Sequence, residues 1–363
     1  MKARQLHSTL TPEGTIRLSI DEVELGDTLG PDEVIVRVDA APVNPTDIFL
    51  LLSGADLSRA TVTDGAVVAP VPPIILSVFA GRVGTPLPVG SEGAGTIVAA
   101  NDPSLVGKIV ATNGGMFATH RKVRLAGVRP LPDGRTAEEG ASSFVNPMTA
   151  LSFVETMRAE SHTAIVHTAA ASNLGQMLVR ICAADGVPLV NIVRRPEQVE
   201  QLRALGAQHV VNSAAPTFSN DLVEAIAATG ATLAFDAIGG GILQTQILDA
   251  MERVASRSMT AFSHYGSSTH KQLYVYGSLD RSPTMLVRTF GLAWSVSGYL
   301  VMNALRKLGP EVAARMTSRV MNELTTTFAS RYTARIALDQ LLDLDTLRTC
   351  EKMATGEKFL VAS

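Results

Sequence analysis

Apolar positions along the chain follow one rhythm up to about residue 146 and another after it. In the first part, short alternating or β-branched runs are separated by Gly, Pro, Asn and Asp. Examples are Glu33–Val38 (EVIVRV), Gly95–Ala99 (GTIVA) and Lys108–Thr112 (KIVAT). That pattern predicts a β-rich domain with frequent turns. In the second part, Thr163–His167 (TAIVH) predicts a strand, and Leu174, Met177, Leu178 and Ile181 recur at helical spacing behind it. The alternation continues with a strand over Pro188–Val193 (PLVNIV) and a helix opened by Pro196 and closed by Gly206. A short strand at His209–Val211, a helix over Asn220–Ala228 and a strand over Ala231–Ala237 come next. A helix from Ile242 to Val254 and a strand over Leu273–Gly277 complete the series. Strands alternating with helices predict an α/β, doubly wound parallel sheet.

Two domains follow: residues 1–145, completed by 301–363, and residues 146–300. The tail carries helical stretches after Leu300 and a last strand, Lys358–Val361. Ala55–Pro88, rich in Pro, Gly and Val, and Ala255–Gln272, rich in Ser, Thr and His, break both rhythms. They are expected as long loops, either lids over a site or surface decoration.

Composition narrows the partners. With 363 residues and 46% hydrophobic content the chain can fill two cores. Its 31 basic and 34 acidic residues leave a formal charge of −3, too even for nucleic acid or an acidic membrane surface. The N-terminal stretch reads as no signal peptide, and no run reaches about 18 uncharged apolar residues, so a cytoplasmic protein is expected. Cys182 and Cys350 are too far apart in sequence to suggest a disulfide framework or a clustered metal site.

The chemistry enters at the first strand–helix junction. The strand TAIVH runs into Thr168-Ala-Ala-Ala-Ser-Asn-Leu-Gly175 and then into a helix, so backbone N–H groups at the helix start can cradle a pyrophosphate. Ala169, Ser172 and Gly175 keep an AxxGxxG spacing with serine in the middle place. About 20 residues further on, where an NAD site carries Asp or Glu for the ribose hydroxyls, stand Arg194 and Arg195. Arginine suits a 2′-phosphate, which makes NADPH the expected cofactor; a solvated loop pair is the plainer alternative.

These residues resemble the medium-chain dehydrogenase/reductase superfamily, in its zinc-independent branch of quinone oxidoreductases and enoyl-thioester reductases. Val43-Asn-Pro-Thr-Asp47 is similar to that branch's NPxD segment, Gly90-Ser-Glu-Gly-Ala-Gly95 to its GxExxG turn, and Asn146-Pro-Met-Thr-Ala150 to the entry of its cofactor domain. AAASNLGQ (169–176) and NIVRRP (191–196) resemble the phosphate loop and arginine-bearing strand end of NADPH-dependent enoyl reductases, Tyr276-Gly-Ser-Leu279 the segment bordering the nicotinamide, and Gly356–Leu360 the last strand. The resemblance implies a Rossmann domain beside a β-rich GroES-like domain, an active cleft between them and a homodimer. It implies cofactor contacts from Asn44, Thr149, Ala171, Ser172, Asn173, Leu174, Gly175, Arg194, Arg195, Ile238, Gly239, Tyr276, Gly277 and Ser278. Zinc-dependent relatives carry cysteine at the place of Asn44, histidine at that of Ser91 and a four-cysteine lobe that has no counterpart here. No metal is therefore expected, since soft tetrahedral ligands are missing.

Without a Lewis acid, the expected substrate is a small electrophile that is already activated, a quinone or an enone. Asn44 and Thr46 are candidates to line the pocket as neutral donors toward an oxyanion; their plainer reading is a turn. Tyr276 could donate a proton or cover the nicotinamide. Enoyl-thioester reductases place a tyrosine soon after NPxD, whereas Phe49–Leu57 (FLLLSGADL) has none. Two alternatives stay open: an enoyl-thioester reductase of the same fold, and an NADPH-binding protein with little turnover.

Overall fold

The structure, a computed structural model, describes residues 1–26, 28–353 and 356–362. The chain divides into two compact units, residues 1–145 with 321–363, and residues 146–320.

The first unit is built from two sheets. In the five-stranded one, Lys2–Leu10 pairs antiparallel with Thr15–Glu24, which pairs with Ala66–Pro70, itself paired with Thr61–Thr63; Leu87–Pro88 flanks the other edge. In the seven-stranded one, Glu33–Pro42 is central. It pairs with Glu92–Ala100, His120–Arg124 and the C-terminal strand Phe359–Ala362. Leu6, Leu10, Ile16, Leu18, Ile48, Leu51 and Phe117 form the heart of its core. Gly95 shows how close the two central strands lie, since a Cβ there would stand 1.8 Å from the Arg37 carbonyl oxygen.

The second unit holds a six-stranded, wholly parallel sheet. Its spatial order is His209–Asn212, Leu189–Val193, Ile165–His167, Leu233–Asp236, Lys271–Val275, Trp294–Gly298. Counted in chain order this is 3-2-1-4-5-6, which reverses direction between Ile165–His167 and Leu233–Asp236. Ligands of such sheets bind beyond the strand ends at that reversal. The expected fold class, a doubly wound parallel sheet beside a separate β-rich unit, is the one observed.

Three details differ from the sequence expectations. Residues 55–88 are not one long loop, because they hold the strands Thr61–Thr63 and Ala66–Pro70 and a short helix Pro73–Val78. Val62, Val67 and Val68 lie on a tight two-stranded turn whose brevity hides any period. Residues 301–320, expected with the first domain, belong to the second unit. There Arg319 meets Asp185 at 2.9 Å and Arg315 reaches Glu155 at 3.6 Å. The sixth parallel strand, Trp294–Gly298, has small polar serines at alternate places and gave no strand signal. Among the described residues no helix is long and apolar enough to cross a membrane.

Candidate cofactor cradle and acid pocket

In the second unit, the strand Ile165–His167 ends at the reversal point and the chain turns through Thr168–Ser172 into the helix Asn173–Asp185. The turn is tight enough to hold Ala169 at φ 48°, a left-handed conformation that costs an L-residue about 1–2 kcal/mol. Ser172 is the N-cap, and its Oγ accepts the Gly175 N–H at 3.1 Å. A Cβ on Gly175 would lie 2.1 Å from the Ala170 carbonyl oxygen, so the helix start packs directly on the turn. Helix starts in general leave N–H groups without intrahelical partners, and such a start is a candidate cradle for a pyrophosphate.

The next strand stops at Val193, and Arg194 and Arg195 emerge exposed. Their backbone N–H groups both donate to Gln198 Oε1 at 3.1 Å, which fixes the start of the helix Pro196–Ala204. Beyond the strand Leu233–Asp236, the buried Asp236 carboxylate accepts from Thr168 Oγ at 2.6 Å, Ile238 N at 3.0 Å, Gly239 N at 2.9 Å and Gln244 Nε2 at 2.6 Å. Asp236 therefore ties Thr168, the turn after its own strand and the helix that carries Gln244 together at the ends of two central strands. Tyr276 follows the fifth strand, and its hydroxyl lies 2.7 Å from His167 Nε2, with the rings parallel to within 13°. Burial lowers the His167 imidazole to about 3, so the ring is neutral. Burial, with the Asp236 charge added to it, pushes the Tyr276 hydroxyl well above its ordinary range. Such a phenol is a poor acid, and its geometry favours a wall over a proton donor.

The first unit gathers a different set. Asn44 is the N-cap of the helix Pro45–Leu52, and its N–H donates to Asp47 Oδ2 at 2.8 Å. The other Asp47 oxygen accepts the N–H of Ser91 at 2.7 Å and its hydroxyl at 2.6 Å. Asn44 Nδ2 donates to Glu92 Oε1 at 2.9 Å, while Glu92 Oε2 accepts the N–H groups of Phe144 at 2.8 Å and Val145 at 3.0 Å. Asp47, Glu92 and Asn44 are all buried. Burial raises the Asp47 carboxyl to about 6 against the hydrogen bonds that lower it, with the Glu92 charge adding to the rise. Lys358, on the approach to the last strand, is 8% exposed; its ammonium makes no hydrogen bond among the described residues and lies 5.8 Å from the Tyr332 ring centroid. Burial lowers it to about 8 against the charges of Glu92 and Asp47.

Residues 173–291 match a protein-family model described as zinc-binding dehydrogenase. A solved structure from Mesorhizobium loti, assigned as an NADPH:quinone reductase, covers 100% of this chain and 98% of its own at a TM-score of 0.72 and 24% identity. The Etr1p complex with NADP and crotonyl-CoA covers 100% of both chains at a TM-score of 0.70 and 20% identity. These likenesses concern the fold. By sequence, the mitochondrial enoyl-[acyl-carrier-protein] reductase of Bos taurus is 27% identical over 195 residues, 50% of this chain and 46% of the bovine protein. The matches to such curated relatives span about half of their length. The chain shares the fold of these reductases.

The second unit holds most of the expected cofactor residues. Ala171, Ser172, Asn173, Leu174 and Gly175 form the turn and helix start, and Arg194 and Arg195 stand at the second strand end. Ile238 and Gly239 sit on Asp236, and Tyr276, Gly277 and Ser278 follow the fifth strand. Thr149 lies buried in the helix Val145–Ala159. Asn44 and Thr46 share a helix start in the first unit, but only Asn44 is buried and Thr46 is exposed. Asn44 was expected as a donor toward an oxyanion; its amide nitrogen donates to Glu92 instead, and the buried Oδ1 has no hydrogen-bond partner among the described residues. His167, Asp236 and Lys358 were missed, because an isolated polar residue in or beside an apolar strand carries no motif.

Zinc does not fit the residues present. Asn44 and Ser91 offer a neutral amide and a hydroxyl, and the Asp47 and Glu92 oxygens are taken by N–H and O–H donors. Among the described residues no group of three or more His, Cys, Asp or Glu side chains is placed to hold a metal ion. The zinc-binding family match itself covers residues 173–291 of the second unit and includes none of these residues.

Proposed function

We propose that the protein is a zinc-independent, NADPH-dependent oxidoreductase that reduces a small activated electrophile, a quinone or an enone. The observation that carries the reading is the cradle at Ala169–Gly175 with Arg194 and Arg195 exposed at the end of the neighbouring strand. NADPH, when bound, supplies the hydride. The helix start at Asn173 would hold its pyrophosphate and the arginines its 2′-phosphate, while Tyr276 with Gly277 and Ser278 would wall the nicotinamide. The neutral His167 holds the Tyr276 hydroxyl and so fixes that wall. The same reading takes the protein as a cytoplasmic homodimer, which sedimentation of the purified protein tests.

Enoyl-thioester reduction is the second reading, favoured by the bovine relative's activity and weakened by the lack of tyrosine between Phe49 and Leu57. NADPH oxidation with a panel of quinones, enones and enoyl thioesters separates the two. The main reading expects turnover with quinones or enones and no need for added metal. Tight NADPH binding with only background oxidation across the panel would establish a binding protein instead. Stoichiometric zinc whose chelation removes activity would refute the metal-free reading.

A further inference from the structure

Two buried polar atoms of the first unit have no hydrogen-bond partner among the described residues and belong to the same cluster: Lys358 Nζ and Asn44 Oδ1. Each points to a cause. A buried ammonium is costly unless opposite charge compensates it, and so is a pair of buried carboxylates. Asp47 and Glu92 are 0% and 1% exposed, and both charges act on Lys358. Glu92 accepts three N–H bonds and donates none, as an ionised carboxylate does. Because that carboxylate can only accept, the Asn44 amide must face it with its nitrogen, and the oxygen is turned away. Arg129, whose charge also reaches Glu92, donates to Asn113 Oδ1 at 2.8 Å and lies over the Phe144 ring at 5.0 Å, and its buried Nε has no partner among the described residues.

We propose that Lys358 is the resident cation of this pocket and the positioning residue for Asn44. Its buried ammonium offsets the negative charge of the pocket, Glu92 holds the Asn44 amide by its nitrogen at 2.9 Å, and Oδ1 is left as an acceptor for a hydroxyl or amide N–H of a bound ligand. The charge that a metal ion would bring to such carboxylates is thus carried by the chain itself. The consequence for turnover rests on the reductase reading above; the charge pairing does not.

The test uses the full chain as parent, Lys358→Met, Glu92→Gln and the double variant, with Lys358→Arg keeping the charge. Equilibrium unfolding reads the pairing without reference to activity. Lys358→Met is expected to lower the folding equilibrium constant by about 100-fold or more, and Glu92→Gln in that background to return about tenfold of it, because the neutral amide no longer needs the cation. Losses that simply add overturn the proposal. If Lys358→Met is too unstable to purify, recovery of folded protein in the double variant supports the pairing and failure to recover overturns it. With NADPH and a naphthoquinone, Lys358→Met is expected to lower kcat about tenfold at an unchanged NADPH Kd, with Lys358→Arg restoring most of it. Equal kcat values for the Met and Arg variants overturn the positioning role. Parent protein that turns over no acceptor refutes the reductase reading, and the unfolding cycle then decides on Lys358 alone.

Discussion

The cradle of the second unit and the acid pocket of the first are assembled in opposite ways. The cradle is one uninterrupted stretch, 165–176, in which strand, turn and helix start follow each other, and its proposed contacts come from the backbone. The pocket draws on four separated segments, at 44–47, 91–92, 144–145 and 358, and its side chains do the work. The first depends on local conformation and on the absence of side chains. The second depends on charge balance in a buried place. A backbone site therefore fails through steric intrusion, and a side-chain site through loss of a partner or a proton.

The largest effect should come from intrusion. Gly175→Val would drive a side chain into the Ala170 carbonyl at 2.1 Å, with an expected loss of about 3 kcal/mol or more in NADPH binding or in stability of the second unit. Titration of the cofactor together with a thermal melt checks it, and parent-like binding would break the contrast. Gly95→Ala, whose Cβ meets the Arg37 carbonyl at 1.8 Å, should damage the first unit to a similar degree.

The pocket should answer to pH instead. With Asp47 raised to about 6 by burial, both states are protonated in strong acid. Between about pH 4 and pH 6 the unfolded chain ionises there while the folded one keeps its proton. Stability therefore falls as pH rises through that window, by on the order of 3 kcal/mol, and Asp47→Asn should flatten this slope. Denaturant midpoints measured across the window decide it; an unchanged slope in the variant would sink the assignment to Asp47.

Arg194→Ala should weaken NADPH by about 10- to 100-fold and leave NADH nearly unchanged, the size of one charge-assisted hydrogen bond. Equal losses for both cofactors would make the arginine structural. The smallest effect expected is a gain: Ala169→Gly relieves the left-handed φ of 48° and should stabilise the second unit by up to about 1 kcal/mol, less the added freedom of the unfolded chain. A destabilised Ala169→Gly protein would show that the turn is not strained.

What the sequence by itself determined is the local part. The alternation of strands and helices after residue 146, the small residues of 169–175 and the arginines at 194–195 could all be read in order, because each signal and its consequence lie within a few residues of one another. Residues 55–88 escaped because their strands are too short to show a period, and 301–320 because a helix carries no mark of the unit it packs on. Asn44 could be singled out in the sequence, yet whether its amide donates or accepts was settled by Glu92, which lies 48 positions away. Lys358 reads in sequence as an ordinary strand-end lysine. Only the fold buries its ammonium near Asp47 and Glu92, since antiparallel pairing sets the last strand against Glu33–Pro42. Charge balance in a low-dielectric interior belongs to residues that meet in space, and the order of the chain does not record it.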